Sequence, residues 1–159
     1  MNGLACWSIV VMLVVNPWCE VSPSAQVVTE IGTWTLDVAR STFPGGSDPQ
    51  SRTLTIENSG QGVKVSNLTV AADGRVSSSS YTEIYDGREY PVAGSENAIT
   101  SSSLRIDANT GERITKTAGK VTRTRQRRLS ADGQTLTVTE QGTNGEGQPF
   151  RLTMVFRRR

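Results

Sequence analysis

The chain has 159 residues, of which 35% are hydrophobic, 6% aromatic and 20% charged, and this is enough material for one domain rather than two. Its 17 basic and 15 acidic residues leave a net charge of +2, which implies no particular class of partner. There is no histidine and both cysteines lie within the first 19 residues, so the remainder offers no imidazole or thiolate for a histidine-based catalytic centre, a cysteine nucleophile or a zinc site.

The chain begins with a segment typical of secretory signal peptides. Residues 4–15, LACWSIVVMLVV, form a largely apolar run that is shorter than the roughly 20 residues of a membrane-spanning helix. Small residues place the cleavage site after Ser24 or Ala25, but no lysine or arginine precedes the run, and a retained anchor is the alternative. We therefore assign residues 1–25 to a signal peptide and predict an exported protein, periplasmic or secreted, with no membrane span after processing.

The rest of the chain has the pattern of consecutive β-hairpins. Asp-Gly and Asn-Gly pairs recur at short intervals, and these residues tolerate the positive φ that tight hairpins require. The segments between them alternate in character, are rich in Thr, Val, Ile and Tyr, and show no sustained helical period. The predicted strands are, in chain order, 33–37, 52–57, 63–72, 76–85, 89–92, 98–107, 113–117, 121–130, 134–140 and 150–156.

These segments predict an all-β domain. Consecutive hairpins make an antiparallel up-and-down meander of about 8–10 strands, and a meander of this length usually closes into a small barrel to remove its edges. An open sandwich is the alternative. Residues 26–31 are assigned to an N-terminal linker and residues 32–159 to the single barrel domain.

One hairpin places arginines on an apolar face. A two-residue Asp132-Gly133 turn predicts the cross-strand pairs Leu129–Leu136, Arg127–Val138 and Arg125–Glu140. The opposite face of this hairpin is entirely polar and must meet water, so the apolar face turns inward. The residues predicted to point inward are Val121, Leu129, Leu136 and Val138, together with Arg123, Arg125 and Arg127.

The three inward arginines have two interpretations. A buried guanidinium needs a carboxylate, a wet cavity or a route to the rim. Arg123, Arg125 and Arg127 therefore either have a structural role, exposed at the rim or paired with Glu140, or they line a binding cavity.

The middle hairpins carry tyrosines whose position is ambiguous. Two-residue turns at Asp73-Gly74 and Asp86-Gly87 put Leu68, Val70, Tyr81, Tyr85, Tyr90 and Val92 on one face, and Val63, Val65, Val76 and Ile84 on the other. Neither face is plainly polar, so the tyrosines either line a cavity or lie half-exposed. The last strand is clearer, because alternation predicts a core of Phe150, Leu152, Met154 and Phe156.

The first predicted strand carries a familiar motif. The residues GTWTL at 32–36 resemble the Gly-x-Trp signature of the calycins, which include lipocalins and fatty-acid-binding proteins. The run GTWTLDVARSTF and the later segments TLTIE, GVKV, YDGREYPV and ADGQTLTVTEQGT more closely resemble a group of small exported bacterial proteins described as lipocalin-like. The resemblance covers roughly residues 31–157.

The resemblance implies a barrel end closed by Trp34. In calycins an arginine from a late strand packs over this ring in a cation–π contact. The partner here is either Arg157 or one of Arg123, Arg125 and Arg127. The segment Val38–Gln50, with its prolines and glycines, leaves no room for the two-helix lid of fatty-acid-binding proteins.

The sequence predicts a non-catalytic, lipocalin-like binding domain. Its partner is a small hydrophobic or amphipathic, anionic ligand in the barrel interior. The predicted ligand-binding residues are Arg123, Arg125, Arg127, Tyr81 and Tyr85. No metal, cofactor or nucleic-acid partner is predicted, and the oligomeric state is left open.

Two other classes of function remain. The main alternative is a structural or protein-interaction domain of the cell envelope with a filled core, which a connected cavity below about 300 Å³ would favour. An enzyme is the third class, since no spacing of carboxylates singles out an acid–base pair. The acidic residues considered, all expected at a solvated surface, are Asp37, Glu57, Glu83 and Glu140.

Overall fold

The computed structural model describes residues 29–46, 48–93 and 98–159. The signal peptide predicted at residues 1–25 lies outside the described residues, as do residues 26–28 of the predicted linker. None of the helices in the described ranges is long and apolar enough to cross a bilayer.

Ten antiparallel strands and two 3-10 turns form the described part of the chain. The strands are β1 (Gly32–Leu36), β2 (Ser51–Ser59), β3 (Gly62–Val70), β4 (Val76–Glu83), β5 (Tyr90–Pro91), β6 (Ile99–Arg105), β7 (Thr110–Thr117), β8 (Lys120–Leu129), β9 (Thr135–Thr143) and β10 (Pro149–Arg158). The 3-10 turns, Val38–Arg40 and Pro44–Gly46, lie between β1 and β2. The predicted all-β meander is confirmed.

All ten strands belong to one sheet, in the order β4-β3-β2-β1-β10-β9-β8-β7-β6-β5, rather than to the two sheets of a sandwich. β1 pairs with both β2 and β10, so the first and last strands lie side by side and the sheet curls into a half-barrel. Its edges are β4 and β5, which are not neighbours in the sheet. The curl brings β4 opposite β8 across the lumen, where the hydroxyl of Tyr81 accepts a hydrogen bond from Arg125.

The β8–β9 hairpin has the predicted register. The pairs Leu129–Leu136, Arg127–Val138 and Arg125–Glu140 are all present. The turn is longer than predicted. The Ser130 amide donates to the Thr135 carbonyl, and this hydrogen bond closes a loop of four residues. Asp132 stabilises this turn by accepting hydrogen bonds from the Ser130 hydroxyl and the Gln134 amide.

The predicted β3–β4 register is wrong by one residue. Gly74, at φ 83°, donates to the Ala71 carbonyl, so the connection is a three-residue loop with glycine in the left-handed position, and not a two-residue turn. Because side chains alternate, this slip moves Tyr81 to the face of its partner Val65 and away from Leu68. Leu68 and Val76 are consequently exposed on the outer face.

The Asp86-Gly87 turn does not join a β4–β5 hairpin. Asp86 instead forms an isolated bridge with Leu104 of β6. Tyr90 is half-exposed, and its hydroxyl donates to the Asp86 carboxylate at 2.7 Å.

Val121 does not point inward as predicted. A bulge in the β7–β8 ladder pairs Lys116 with Val121 but Thr115 with Arg123, which leaves Thr122 as the extra residue and turns Val121 outward, 57% exposed. The arginines beyond the bulge keep the inward face. The Thr122 carbonyl comes so close to β9 that a Cβ at position 142 would lie 2.2 Å from it, so Gly142 is required there.

The apolar core fills one end of the half-barrel. It consists of Trp34, Leu36, Leu54, Ile56, Val63, Val65, Leu129, Leu136, Val138, Met154 and Phe156. Of the predicted last-strand core, Met154 and Phe156 are buried, whereas Phe150 and Leu152 are only partly buried.

Candidate functional site

The three arginines of β8 lie on the inward face and are buried to different depths. The exposed fraction of the side chain is 47% for Arg123, 23% for Arg125 and 5% for Arg127. Alternation along one strand thus carries guanidinium groups from the rim of the lumen to its buried floor.

Arg127 is the centre of a buried charge cluster. Its Nε lies 2.7 Å from Glu30 Oε2, and its Nη2 donates to both Glu83 and the Tyr85 hydroxyl. Burial would lower the pKa of Arg127, but the carboxylates of Glu83 and Glu30 outweigh it and raise the pKa. Arg127 therefore stays charged and holds two carboxylates from separate parts of the chain.

Tyr85 completes this cluster. Its hydroxyl lies 3.0 Å from Glu30 Oε1 and 3.1 Å from Glu83 Oε2. Arg105 stacks on the Tyr85 ring, 4.0 Å from its centroid, and also pairs with Glu30. The cluster ties β4, β6 and β8 to the segment before β1.

A second layer lies nearer the rim. Arg125 donates to Glu140 Oε2 at 2.7 Å and to the Tyr81 hydroxyl at 2.6 Å, while Arg123 Nε lies 3.1 Å from Glu140 Oε1. Arg113 stacks on the ring of Tyr81, 4.3 Å from its centroid. One carboxylate, Glu140, thus serves two arginines.

Arg52 of β2 differs from the other inward arginines. Among the described residues it forms no ion pair with a carboxylate. Its Nε donates to Thr69 Oγ1 at 2.9 Å and its Nη1 lies 2.9 Å from the Met154 sulfur. Burial and the neighbouring Arg125 disfavour the charge of Arg52 and lower its pKa, and the more distant Glu140 offsets this only in part.

The lumen carries an excess of positive charge. Among the described residues, six arginines face three buried or nearly buried carboxylates, an excess of three positive charges. The arginines are Arg52, Arg105, Arg113, Arg123, Arg125 and Arg127, and the acids are Glu30, Glu83 and Glu140. Concentrated charge of one sign in a cleft with low-dielectric walls attracts the opposite ion.

A cavity of about 320 Å³ opens between these arginines and the apolar core. Its charged lining residues are Arg52, Arg123, Arg125, Arg127 and Glu140, and Tyr81 lies among them. The rest of the lining is formed by aliphatic, aromatic and small polar side chains of β2, β3, β4, β9 and β10. Four of the five predicted ligand-binding residues therefore share one cavity wall or rim. Tyr85 lies outside this lining, in the Arg127 cluster. No group of three or more metal-ligating side chains occurs in the described ranges.

Trp34 closes one end of the lumen. It is fully buried, and its Nε1 donates to the Glu30 carbonyl at 3.0 Å. The arginine over its ring is Arg158, 4.3 Å from the centroid, and neither Arg157 nor a β8 arginine as predicted. Trp34 and Arg158 are cross-strand partners, whereas Arg157 points outward and pairs with Asp37.

The structure explains why the first residue of the Gly-x-Trp motif is a glycine. Gly32 has φ 142°, which L side chains rarely adopt, and a Cβ would lie 2.7 Å from Arg158 Nη1. Arg158 also donates to the Ile31 carbonyl at 2.8 Å. The motif therefore leaves space for the arginine that covers the tryptophan.

Several residues of the lumen are not among those predicted from the sequence: Glu30, Arg52, Arg105 and Arg113. Glu30 lies in the predicted linker, and nothing in the sequence around it marks it as buried. Arg113 pairs with Arg125 across β7 and β8 only because of the bulge at Thr122, since an unbroken ladder from the Ala118-Gly119 turn would pair Arg113 with Thr124. Glu83 and Glu140 were expected at a solvated surface, but they are 4% and 5% exposed because they neutralise the arginines.

Replacement of Tyr85 by phenylalanine is expected to reduce the alkaline sensitivity of stability. Burial raises the pKa of Tyr85 above its ordinary value of about 10. The unfolded chain therefore releases this proton first, so the Tyr85 contribution is fully present below about pH 10 and is lost as the pH rises further, by up to about 1.4 kcal/mol per pH unit. Urea unfolding at about pH 9 and 11 measures the decrease, and an equal decrease in both proteins contradicts the prediction.

Comparison with known proteins shows the fold. No protein-family model matches the chain, and no curated protein matches it. A point mutant of the fluorescent protein UnaG has a TM-score of 0.52 at 19% identity, covering 82% of this chain and 96% of that one. A Schistosoma mansoni fatty acid binding protein in complex with arachidonic acid has a TM-score of 0.54 at 16% identity, covering 86% and 98%.

A third solved structure is the zebrafish ileal bile acid-binding protein complexed with cholic acid. Its TM-score is 0.50 at 10% identity, and the match covers 81% of this chain and 98% of that one. At these identities the likeness shows the fold alone. The chain has the fold of the fatty-acid-binding proteins and related calycins, as the Gly-x-Trp motif predicted.

Proposed function

We propose that this protein is a non-catalytic binding protein whose lumen holds a small, partly apolar anion. The observation that carries the proposal is Arg52, a partly buried guanidinium that lines the cavity and forms no ion pair with a carboxylate among the described residues. A charge in this position is costly unless something neutralises it. A bound anion supplies the missing counter-charge.

The cavity supports the same proposal. Its volume of about 320 Å³ lies at the lower end of the range of small-molecule sites, roughly 300–1,000 Å³, and above the limit that would favour a filled core. The Schistosoma and zebrafish proteins of the same fold are complexed with arachidonic and cholic acid, which are amphipathic anions. In this chain the anionic head would meet Arg52, Arg123 and Arg125, with Tyr81 beside them.

The buried cluster has a separate role in this proposal. Arg127 and Tyr85 are occupied by Glu30 and Glu83, so they support the floor of the lumen and are not free to bind the anion. Export through a signal peptide of residues 1–25 stays a prediction from the sequence.

Replacement of Arg52 by methionine is expected to weaken decanoate binding. A hydrogen bond to a charged group contributes about 1.5–3 kcal/mol, so the dissociation constant should rise roughly 10- to 100-fold. Displacement of 1-anilinonaphthalene-8-sulfonate by decanoate measures it. The matched control is Arg151→Met, because Arg151 is exposed on the outer face of β10 and should leave affinity unchanged. Absence of decanoate binding in the wild type, or equal affinity in R52M, contradicts the proposal.

A further inference from the structure

The wall that β3 and β4 contribute to the cavity is polar. Cross-strand pairing places Asn67 beside Ser79, and Thr69 beside Ser77, all on the inward face. Thr69 accepts a hydrogen bond from Arg52, but the side chains of Asn67, Ser77 and Ser79 have no hydrogen-bond partner in the part of the chain that the structure describes. Three hydrogen-bonding groups are therefore available on one side of the cavity.

The adjoining wall is apolar, and its Leu54 is the cross-strand partner of Asn67. It is formed by side chains of β2, β9 and β10, namely Leu54, Val138, Leu152, Met154 and Phe156. The cavity thus has two unlike faces, and the cation Arg52 lies where they meet. Arg52 is the cross-strand partner of Thr69 on the polar face and donates a hydrogen bond to the Met154 sulfur on the apolar face.

A plain hydrocarbon chain fits only one of these faces. Asn67 is half-buried and Ser77 and Ser79 are exposed to water at this edge of the lumen, so a hydrocarbon chain that covers them displaces their water without offering a hydrogen bond in return, and this opposes binding. A ligand hydroxyl near the anionic head reaches the polar wall, because Ser77 lies in the same cross-strand row as Arg52 and Thr69. The remaining hydrocarbon then packs against the apolar wall.

We propose that the preferred ligand is an acyl anion with a hydroxyl group close to its carboxylate, and that the inward serines of β4 select it. This inference rests on the proposed function, since it names the class of anion that the lumen takes. Sites that hydrogen-bond a ligand hydroxyl discriminate against the analogue that lacks it, because their polar groups are then left unpaired.

β4 provides its own control for the test. Its four consecutive serines alternate, so Ser77 and Ser79 face the cavity while Ser78 and Ser80 face outward beside Leu68 and Ser66 of β3. Alanine tolerates this exposed edge strand, so both double variants, S77A/S79A and S78A/S80A, should fold. The probes are 3-hydroxydecanoate and decanoate, each measured by calorimetric titration of the protein.

The wild type is expected to bind 3-hydroxydecanoate about tenfold more tightly than decanoate. S77A/S79A should lose this preference by tightening decanoate and weakening the hydroxy acid, and S78A/S80A should keep it. Equal affinity of the wild type for both acids overturns the inference and leaves the proposed function intact. A preference that survives in S77A/S79A also overturns it, because other groups then select the hydroxyl. Binding of neither acid overturns both.

Discussion

Replacement of Arg127 by methionine is expected to lower the free energy of unfolding by about 3–5 kcal/mol. Arg127 is 5% exposed and sits between the carboxylates of Glu30 and Glu83, which are themselves buried. Removing the cation leaves Glu30 with Arg105 and Glu83 with the more distant Arg113, so the desolvation cost of the two carboxylates is then only partly compensated. Urea unfolding followed by far-ultraviolet circular dichroism measures the change.

Two variants separate this effect from a general loss of positive charge. Arg128 is adjacent and exposed, so Arg128→Met should change the unfolding free energy by no more than about 0.5 kcal/mol. Neutralising the acids together with the arginine, as E30Q/E83Q/R127M, should recover most of the loss, since a neutral buried group does not carry the charge penalty. If R127M is as stable as R128M, the charge cluster does not support the fold.

Replacement of Trp34 by alanine is expected to lower the free energy of unfolding by about 3–5 kcal/mol. Trp34 is fully buried at the closed end of the half-barrel, and its indole is covered by Arg158. Alanine leaves a cavity in the core and removes both the cation–π contact and the hydrogen bond to the Glu30 carbonyl. The Glu30 side chain follows that carbonyl into the Arg127 cluster, so the variant should also loosen the floor of the lumen.

Thermal and urea unfolding of W34A, W34F and Y90A tests this prediction. Phenylalanine retains most of the apolar volume, so W34F should lie between the wild type and W34A. Tyr90 is an exposed aromatic residue at an edge strand, and Y90A should change stability by about 0.5 kcal/mol. A loss in Y90A as large as that in W34A would show that the position of the indole is not what matters.

The predictions from the hairpin pattern succeeded where one turn and one strand pair decide the outcome. The alternation of β8 placed Arg123, Arg125 and Arg127 on one face, and this holds because the period of two is a property of the extended backbone itself. The predictions failed where the loop length decided the register. At Asp73-Gly74 a three-residue loop in place of a two-residue turn moved Tyr81 to the inward face of β4, and dipeptide composition alone does not distinguish the two.

The position of Val121 illustrates a second kind of failure. A bulge at Thr122 reversed its direction, and the only trace of this in the sequence is Gly142 on the neighbouring strand, whose role depends on knowing which strands pair. The prediction of the arginine that covers Trp34 was wrong by a single position. Arg158 and Arg157 are adjacent in the chain, and only the β1–β10 register decides which of them lies over the ring.

By itself the amino-acid sequence determined the all-β meander and the arginine stripe of β8, because both follow from local backbone preference and a repeat of two residues. The Gly-x-Trp end of the barrel was implied by the resemblance to calycins. The Arg125–Glu140 pair followed from the β8–β9 hairpin, whereas only the tertiary structure decided the buried partners of Arg127. Glu30 and Glu83 lie far from Arg127 in the chain, and the curl of the sheet brings them to it. The same curl leaves Arg52 at the cavity without a carboxylate partner among the described residues, since the charge balance of a lumen depends on contacts between strands that are distant in sequence.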